Sequence, residues 1–267
     1  MKNLVIALLV FTVFDVNAQE FTMKPKGTIS EITVVVQNMY SDLDIQGGTA
    51  GDIKIEADDY EVLPEKAAGL RPLSAMGPDN SGIGLNILQS GNTITISGTH
   101  RNRKNEDYRI MLPASIKLKI VHASFRSDDI TVRGMTNEVE VKSQVGELVF
   151  TDVTGPIIAS TISSDIKVEF SALNQSSPTS ITSVSGNIDI SLPESSKGDF
   201  TMSSISGEIY TDMEFQNEMN KGPVFPPGVI SVNSKLNGGG VGVTLRSVSG
   251  DIFIRKVKNT GAGGRSN

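Results

Sequence analysis

The sequence predicts an all-β chain wound as a single parallel β-solenoid, a β-helix of short repeated strands with loop insertions. Three observations carry this expectation. First, a five-residue unit recurs: a small or acidic pair, an aliphatic, any residue, then a second apolar residue. Its leading aliphatics stand at 130, 139, 148, 157 and 166, a constant step of nine. Second, the unit returns at Ile188, Ile209 and Ile252, at steps of 22, 21 and 43 residues. Two steps of nine are commensurate with the later step, so one coil of about that length explains both. Third, Leu43-Asp44-Ile45, Ile53-Lys54-Ile55 and Ile94-Thr95-Ile96 alternate at period two, the signature of half-buried strands. The 26 glycines, with recurrent Ser and Thr, suit many tight turns. An antiparallel β-sandwich is the alternative, since strands every 8 to 12 residues fit hairpins as well.

The elements follow in chain order. Residues 1–18 read as a secretory signal: Lys2 is the positive region, Leu4 to Phe14 the apolar run, and Val16-Asn17-Ala18 the cleavage site. Cleavage after Ala18 leaves Gln19 first, and no later stretch is long and apolar enough to span a membrane. The solenoid domain is expected over residues 19–257. The β-branched segment Ile29 to Val36 could cap one end, and Asp52-Ile53-Lys54-Ile55 looks like an early copy of the unit. Pro64, Pro72 and Pro78 break the pattern, so 57–89 is expected as a loop insertion with a short helix over Glu61 to Leu70. Arg101 to Asp107 is a charged turn, and Tyr108 to Leu112 and Ile116 to Val121 are strands. From 128 the repeat takes over. Pro223, Pro226, Pro227 and Gly238-Gly239-Gly240 mark 214–240 as a second loop insertion, and 258–267 is a flexible tail.

In such a coil the leading and second aliphatics point inward and stack into ladders, while the residue between them faces solvent. A lone coil cannot bury its apolar side, so stability is shared between neighbours. The Gly or Asp before each strand makes the corner.

The units Ser183 to Pro193 (SVSGNIDISLP), Ser204 to Met213 (SISGEIYTDM) and Ser247 to Lys256 (SVSGDIFIRK) resemble the putative-adhesin family of bacterial β-strand-repeat proteins. The resemblance covers about residues 29 to 257 and is strongest after 128. That family is a domain of unknown function frequent in Bacteroidetes. The resemblance implies a β-solenoid, export to the periplasm, cell surface or exterior, and no established enzymatic activity. It supplies no catalytic residues. The sequence departs from a surface adhesin in having no lipid anchor and no clear sorting domain after residue 257.

Composition narrows the chemistry. With no cysteine there is neither a disulfide framework nor a thiolate metal site. A net charge of -6 without a basic face argues against nucleic acid as a partner. The expected partner is an envelope or surface component, protein or glycan, and no cofactor is expected. The residues before the leading aliphatics are Asp52, Asp129, Glu138, Glu147, Asp165, Asn187, Glu208 and Asp251. Asp129, Glu147 and Asp165 would form one column at an 18-residue coil, a weak candidate for Ca²⁺, which takes several oxygen ligands. The Gly-Gly-x-Gly-x-Asp frame of Ca²⁺-binding nonapeptides is absent, and a solvated corner row is the simpler reading. The alternative function is a β-helix polysaccharide lyase or hydrolase, which needs paired carboxylates. Asp128-Asp129 is the best such pair and reads more readily as a turn. The absence of Trp, with 5% aromatics, weakens that reading and, somewhat less, a glycan-binding one. His100 and His122, 22 residues apart, could approach one another but make a poor metal site. The basic run Arg101 to Lys104 is followed by Glu106-Asp107 and reads as a solvated loop. Ser185-Gly186 lacks the strand-to-helix turn that a nucleophile elbow requires.

Overall fold

A computed structural model describes residues 19–58, 66, 70, 77–99, 107–122, 129–217 and 230–257. In chain order the strands are β1 (Gln19–Met23), β2 (Thr33–Gln37), β3 (Leu43–Gly48), β4 (Ile53–Asp58), β5 (Leu85–Ser90), β6 (Thr93–Gly98) and β7 (Asp107–Pro113). Then come β8 (Lys117–His122), β9 (Ile130–Arg133), β10 (Val139–Ser143), β11 (Leu148–Val153), β12 (Ile157–Thr161), β13 (Ile166–Phe170) and β14 (Thr179–Ser183). The last are β15 (Ile188–Leu192), β16 (Gly198–Ser204), β17 (Ile209–Thr211), β18 (Phe215–Asn217), β19 (Ile230–Leu236), β20 (Gly242–Ser247) and β21 (Ile252–Lys256). A 3-10 turn spans Ile29–Glu31, and Lys66 also has 3-10 geometry. None of them forms a helix long and apolar enough to cross a membrane.

The strands build two sheets. Sheet I has ten strands in the order β1-β4-β7-β3-β9-β11-β13-β15-β21-β17, and sheet II has eleven in the order β18-β19-β16-β20-β14-β12-β10-β8-β2-β6-β5. Along the repeat the chain alternates between them, so β8 leads to β9, β10 to β11, β12 to β13 and β14 to β15. One coil is therefore two strands, one per sheet, which is why the nine-residue unit is half a coil. Leu148 lies beside both Ile130 and Ile166 in parallel register, and Val139 beside Ile157. All five are fully buried in one core shared by the two sheets. Each such aliphatic contributes roughly 1.5–3 kcal/mol by burial, and the parallel register makes every copy cover the next. The step lengthens between Ile166 and Ile188 because the link from β13 to β14 makes a broader turn, where Asn174 Oδ1 accepts from the Ser176 and Ser177 N–H groups at 2.7 and 2.9 Å.

Spatial order departs from chain order at both ends. The last coil, β20–β21, is inserted between β14–β15 and β16–β17: Ile252 pairs with Ile188 on one side and Ile209 on the other. Likewise β2–β3 lies between β6–β7 and β8–β9. Antiparallel strands close the stack, with β4 on β7, β1 on β4 and β5 on β6 at one end, and β19 on β16 and β18 on β19 at the other.

Several expectations change accordingly. Parallel pairing throughout the repeat excludes the antiparallel sandwich. The segment Ile29 to Val36 is interior, because β2 is paired on both sides. Asp52-Ile53-Lys54-Ile55 is no copy of the coil, because β4 runs antiparallel to both neighbours; the matching copy is Asp42-Leu43-Asp44-Ile45, paired with β9. Strands occupy part of both stretches expected as loops: the end of β4 and β5 within 57–89, and β18 and β19 within 214–240. The signal segment 1–18, the tail 258–267 and almost all of the short helix and charged turn lie outside the described residues.

Candidate functional site

The corner column comes first, because it holds the candidate metal residues. Asp129, Glu147 and Asp165 do stand one above another, immediately before β9, β11 and β13. The Glu147 N–H donates to Asp129 Oδ1 at 2.7 Å, and the Asn187 N–H to Asp165 Oδ1 at 2.7 Å. The series continues: the Asp251 N–H donates to Asn187 Oδ1 at 2.9 Å, the Glu208 N–H to Asp251 Oδ1 at 2.8 Å, and the Asp129 N–H to Asp42 Oδ1 at 2.8 Å. Each short Asp or Asn side chain satisfies a backbone donor of the next coil, a bond worth about 1 kcal/mol or more. Glu147 is one methylene longer and instead approaches Lys167 Nζ at 3.9 Å. Glu138 belongs to the opposite corner, before sheet II, so it never joined this column. Among the described residues no three His, Asp or Glu side chains converge as metal ligands would. Asp128, the other half of the carboxylate pair, lies outside the described residues, as do His100 and Arg101 to Lys104.

His122 ends β8 and is buried, with neither ring nitrogen hydrogen-bonded among the described residues. Burial pushes its pKa down to about 4. Its Cα partner is Ser143, and the same inward position in later coils is Thr161, Ser183, Ser247 and Ser204. The Ser-x-Ser-Gly motif is thereby explained as a corner. Its first Ser points inward and bonds a carbonyl across coils: Ser204 Oγ donates to Gly250 O at 3.0 Å and Ser247 Oγ to Gly186 O at 3.2 Å. Its variable aliphatic points outward, so Val184, Ile205 and Val248 are exposed, as is Ile162 in the related corner Thr161-Ile162-Ser163-Ser164.

The outer face of sheet I carries the most ligand-like chemistry. Towards β1 its charges consume one another: Lys54 Nζ lies 2.7 Å from Glu20 and 3.0 Å from Glu56, and Arg109 bonds Asp44 at 3.2 Å and Glu56 at 3.4 Å. Towards β17 the arrangement differs. Tyr210 and Phe253, adjacent in register, stack with centroids 5.3 Å apart at 12°. The Arg255 guanidinium sits 5.0 Å from the Phe253 centroid, and its Nε donates to Asp189 Oδ1 at 2.9 Å and Oδ2 at 3.1 Å. A shallow hollow beside them is lined by Val149, Thr151, Lys167, Glu169, Asp189, Ser191 and Arg255. Sequence reasoning missed this group, because its two aromatics are far apart in the chain and meet only through the inserted coil.

Alternating short strands, parallel ladders and hydrogen-bonded corners define a two-sheeted β-solenoid protein. The chain belongs to the Toastrack DUF4097 family, which matches it over residues 113–255, more than half its length. Among similar solved structures is a "putative cell adhesion protein" from Clostridium sporogenes, 14% identical, with a TM-score of 0.45 over 90% of this chain and 100% of that one. A "putative adhesin" from Bacteroides fragilis is 14% identical, with a TM-score of 0.36 over 90% of this chain and 97% of that one. Another from Parabacteroides distasonis is 9% identical, with a TM-score of 0.32 over 91% and 98%. No curated protein matches the chain.

Proposed function

We propose that the protein is an exported, non-catalytic envelope or surface scaffold that acts by contact, presenting the outer face of sheet I. The observation that carries this is how the fold spends its polar groups. The corner Asp and Asn residues serve backbone donors, the inward serines serve carbonyls, and His122 is sealed in the core. What stands on the outer face of sheet I near β17 is the Tyr210–Phe253 stack beside the Arg255–Asp189 ion pair, a group suited to holding a partner. Export is supported by the sequence of the first 18 residues, in which Lys2 precedes the apolar run Leu4 to Phe14 and Val16-Asn17-Ala18 fits a cleavage site. Fractionation of cells expressing the untagged chain tests this. The protein is expected outside the cytosol with Gln19 at its N-terminus by intact mass; full-length chain confined to the cytosol overturns it. A screen against glycans is expected to yield no cleavage products.

A further inference from the structure

We propose that the outer face of sheet I from β11 to β17 is a binding strip for an extended neutral polysaccharide, with Tyr210 and Phe253 as its stacking platform. This deepens the contact reading and rests on it. The register places Val149, Lys167, Asp189, Phe253 and Tyr210 in one outward row that crosses five strands. A pyranose presents a face of C–H bonds and an edge of hydroxyls, and the row supplies a partner for each. Tyr210 is 51% exposed, and β17 is the last strand of sheet I, so among the described residues no further strand covers the ring face turned away from Phe253. That apolar, electron-rich face suits the C–H side of a sugar.

Arg255 and Asp189 supply the polar half. Their ion pair engages Nε, which leaves the terminal amino groups of the guanidinium as donors and the remaining carboxylate lone pairs as acceptors on the Phe253 side of the platform, inward of Tyr210. A few fixed polar groups next to an aromatic surface are what orient a hydroxylated ligand. The acids of the strip, Asp189, Glu169, Glu147 and Asp212, outnumber Lys167 and Arg255, so it offers no positive field to recruit a polyanion. This selects a neutral chain over an acidic one. Strands repeat at about 4.8 Å across a sheet, close to the length of one sugar unit. A polysaccharide lying across the strands would therefore meet a new outward side chain at each residue.

The test is affinity gel electrophoresis of the mature chain in gels containing hydroxyethylcellulose, xylan, glucomannan, laminarin or dextran. At least one is expected to retard the protein. Tyr210→Ala and Arg255→Ala should each weaken that retardation about tenfold, at an unchanged melting temperature. Tyr210→Phe, which keeps the ring, should retain it, and Thr182→Ala on the opposite sheet should have no effect. Absence of retardation in all five gels overturns the proposal, as does retardation that Tyr210→Ala leaves intact. Capture of a protein partner that binds in their place also overturns it. Because export is read separately, an exported protein that ignores every polysaccharide would sink the saccharide proposal and leave the contact reading standing.

Discussion

Asp165 and Asn187 occupy the same corner in successive coils and make the same bond, each accepting a backbone N–H through Oδ1. A neutral amide therefore does the work of a carboxylate, and acceptance rather than charge is what the corner requires. Asp165→Asn is expected to leave stability unchanged, while Asp165→Ala should cost about 1–2 kcal/mol in urea denaturation, because the Asn187 N–H loses its acceptor. By the same logic a chelator should not move the melting temperature; a drop would revive Ca²⁺ at Asp129, Glu147 and Asp165, since a ligand of the native state raises its stability. His122 gives a pH effect of definite sign. Its pKa falls from 6.5 to about 4 on folding, because burial disfavours the cation. The folded state therefore keeps its full advantage above pH 6.5 and loses about 3 kcal/mol as the pH falls to 4. Lysine partners hold Glu56 and Glu140 below their ordinary value of 4.5, so their contributions fade only at more acid pH. Urea denaturation at pH 7.5 and 5 should show the loss in the native sequence and a much smaller one in His122→Thr, which adopts the residue type of Thr161 in the same column.

At the scale of one corner, the glycine of Ser-x-Ser-Gly is required by packing between coils. A Cβ on Gly186 would strike the Ser164 carbonyl, one on Gly250 the Gly186 carbonyl, and one on Gly207 the Gly250 carbonyl. These are backbone obstacles that no rotamer change relieves, so Gly186→Ala or Gly250→Ala should destabilise by about 1–3 kcal/mol, read as a shift in the urea midpoint. The same corners set how far the fold could be read in advance. The step of nine announces stacked half-coils, and Ile130, Leu148 and Ile166 do stack, because inward aliphatics at a fixed period have one way to stay dry. The insertion of β20–β21 was hidden, because Ser183 to Ile188, Ser204 to Ile209 and Ser247 to Ile252 are nearly the same corner, and nothing local says which pair abuts. The Tyr210–Phe253 platform was hidden for the same reason, since it exists only if Ile252 lies beside Ile209. The acidic column was visible as a column, but its role depends on side-chain length, short for Asp129 and long for Glu147, measured against the spacing of coils.

Over the whole molecule, the inserted coil makes the end of the chain a structural keystone. In a simple solenoid the last coil covers one neighbour and can fray alone. Here Val243 and Leu245 of β20 and Ile252 and Ile254 of β21 are buried between two coils, and both strands are paired in parallel on both sides. Removing residues 242–257 would open a slot inside the stack and strip the inner faces of β14–β15 and β16–β17 together. It would also detach the hairpin of β18 and β19 that closes this end, because that hairpin is held through β16. Four buried aliphatics at roughly 1.5–3 kcal/mol each, with two interfaces lost, are comparable to the whole stability of an ordinary domain. A chain ending at Val241 is therefore expected to lose the cooperative melt of the native protein, by circular dichroism, and to be cut by protease after β15. The rival outcome follows from the likeness of the corners: β16–β17 could drop by one coil onto β14–β15, with Ile209 taking the place of Ile252. A shortened chain that melts cooperatively near the native temperature would show that the coils are interchangeable and that insertion of the last one adds little.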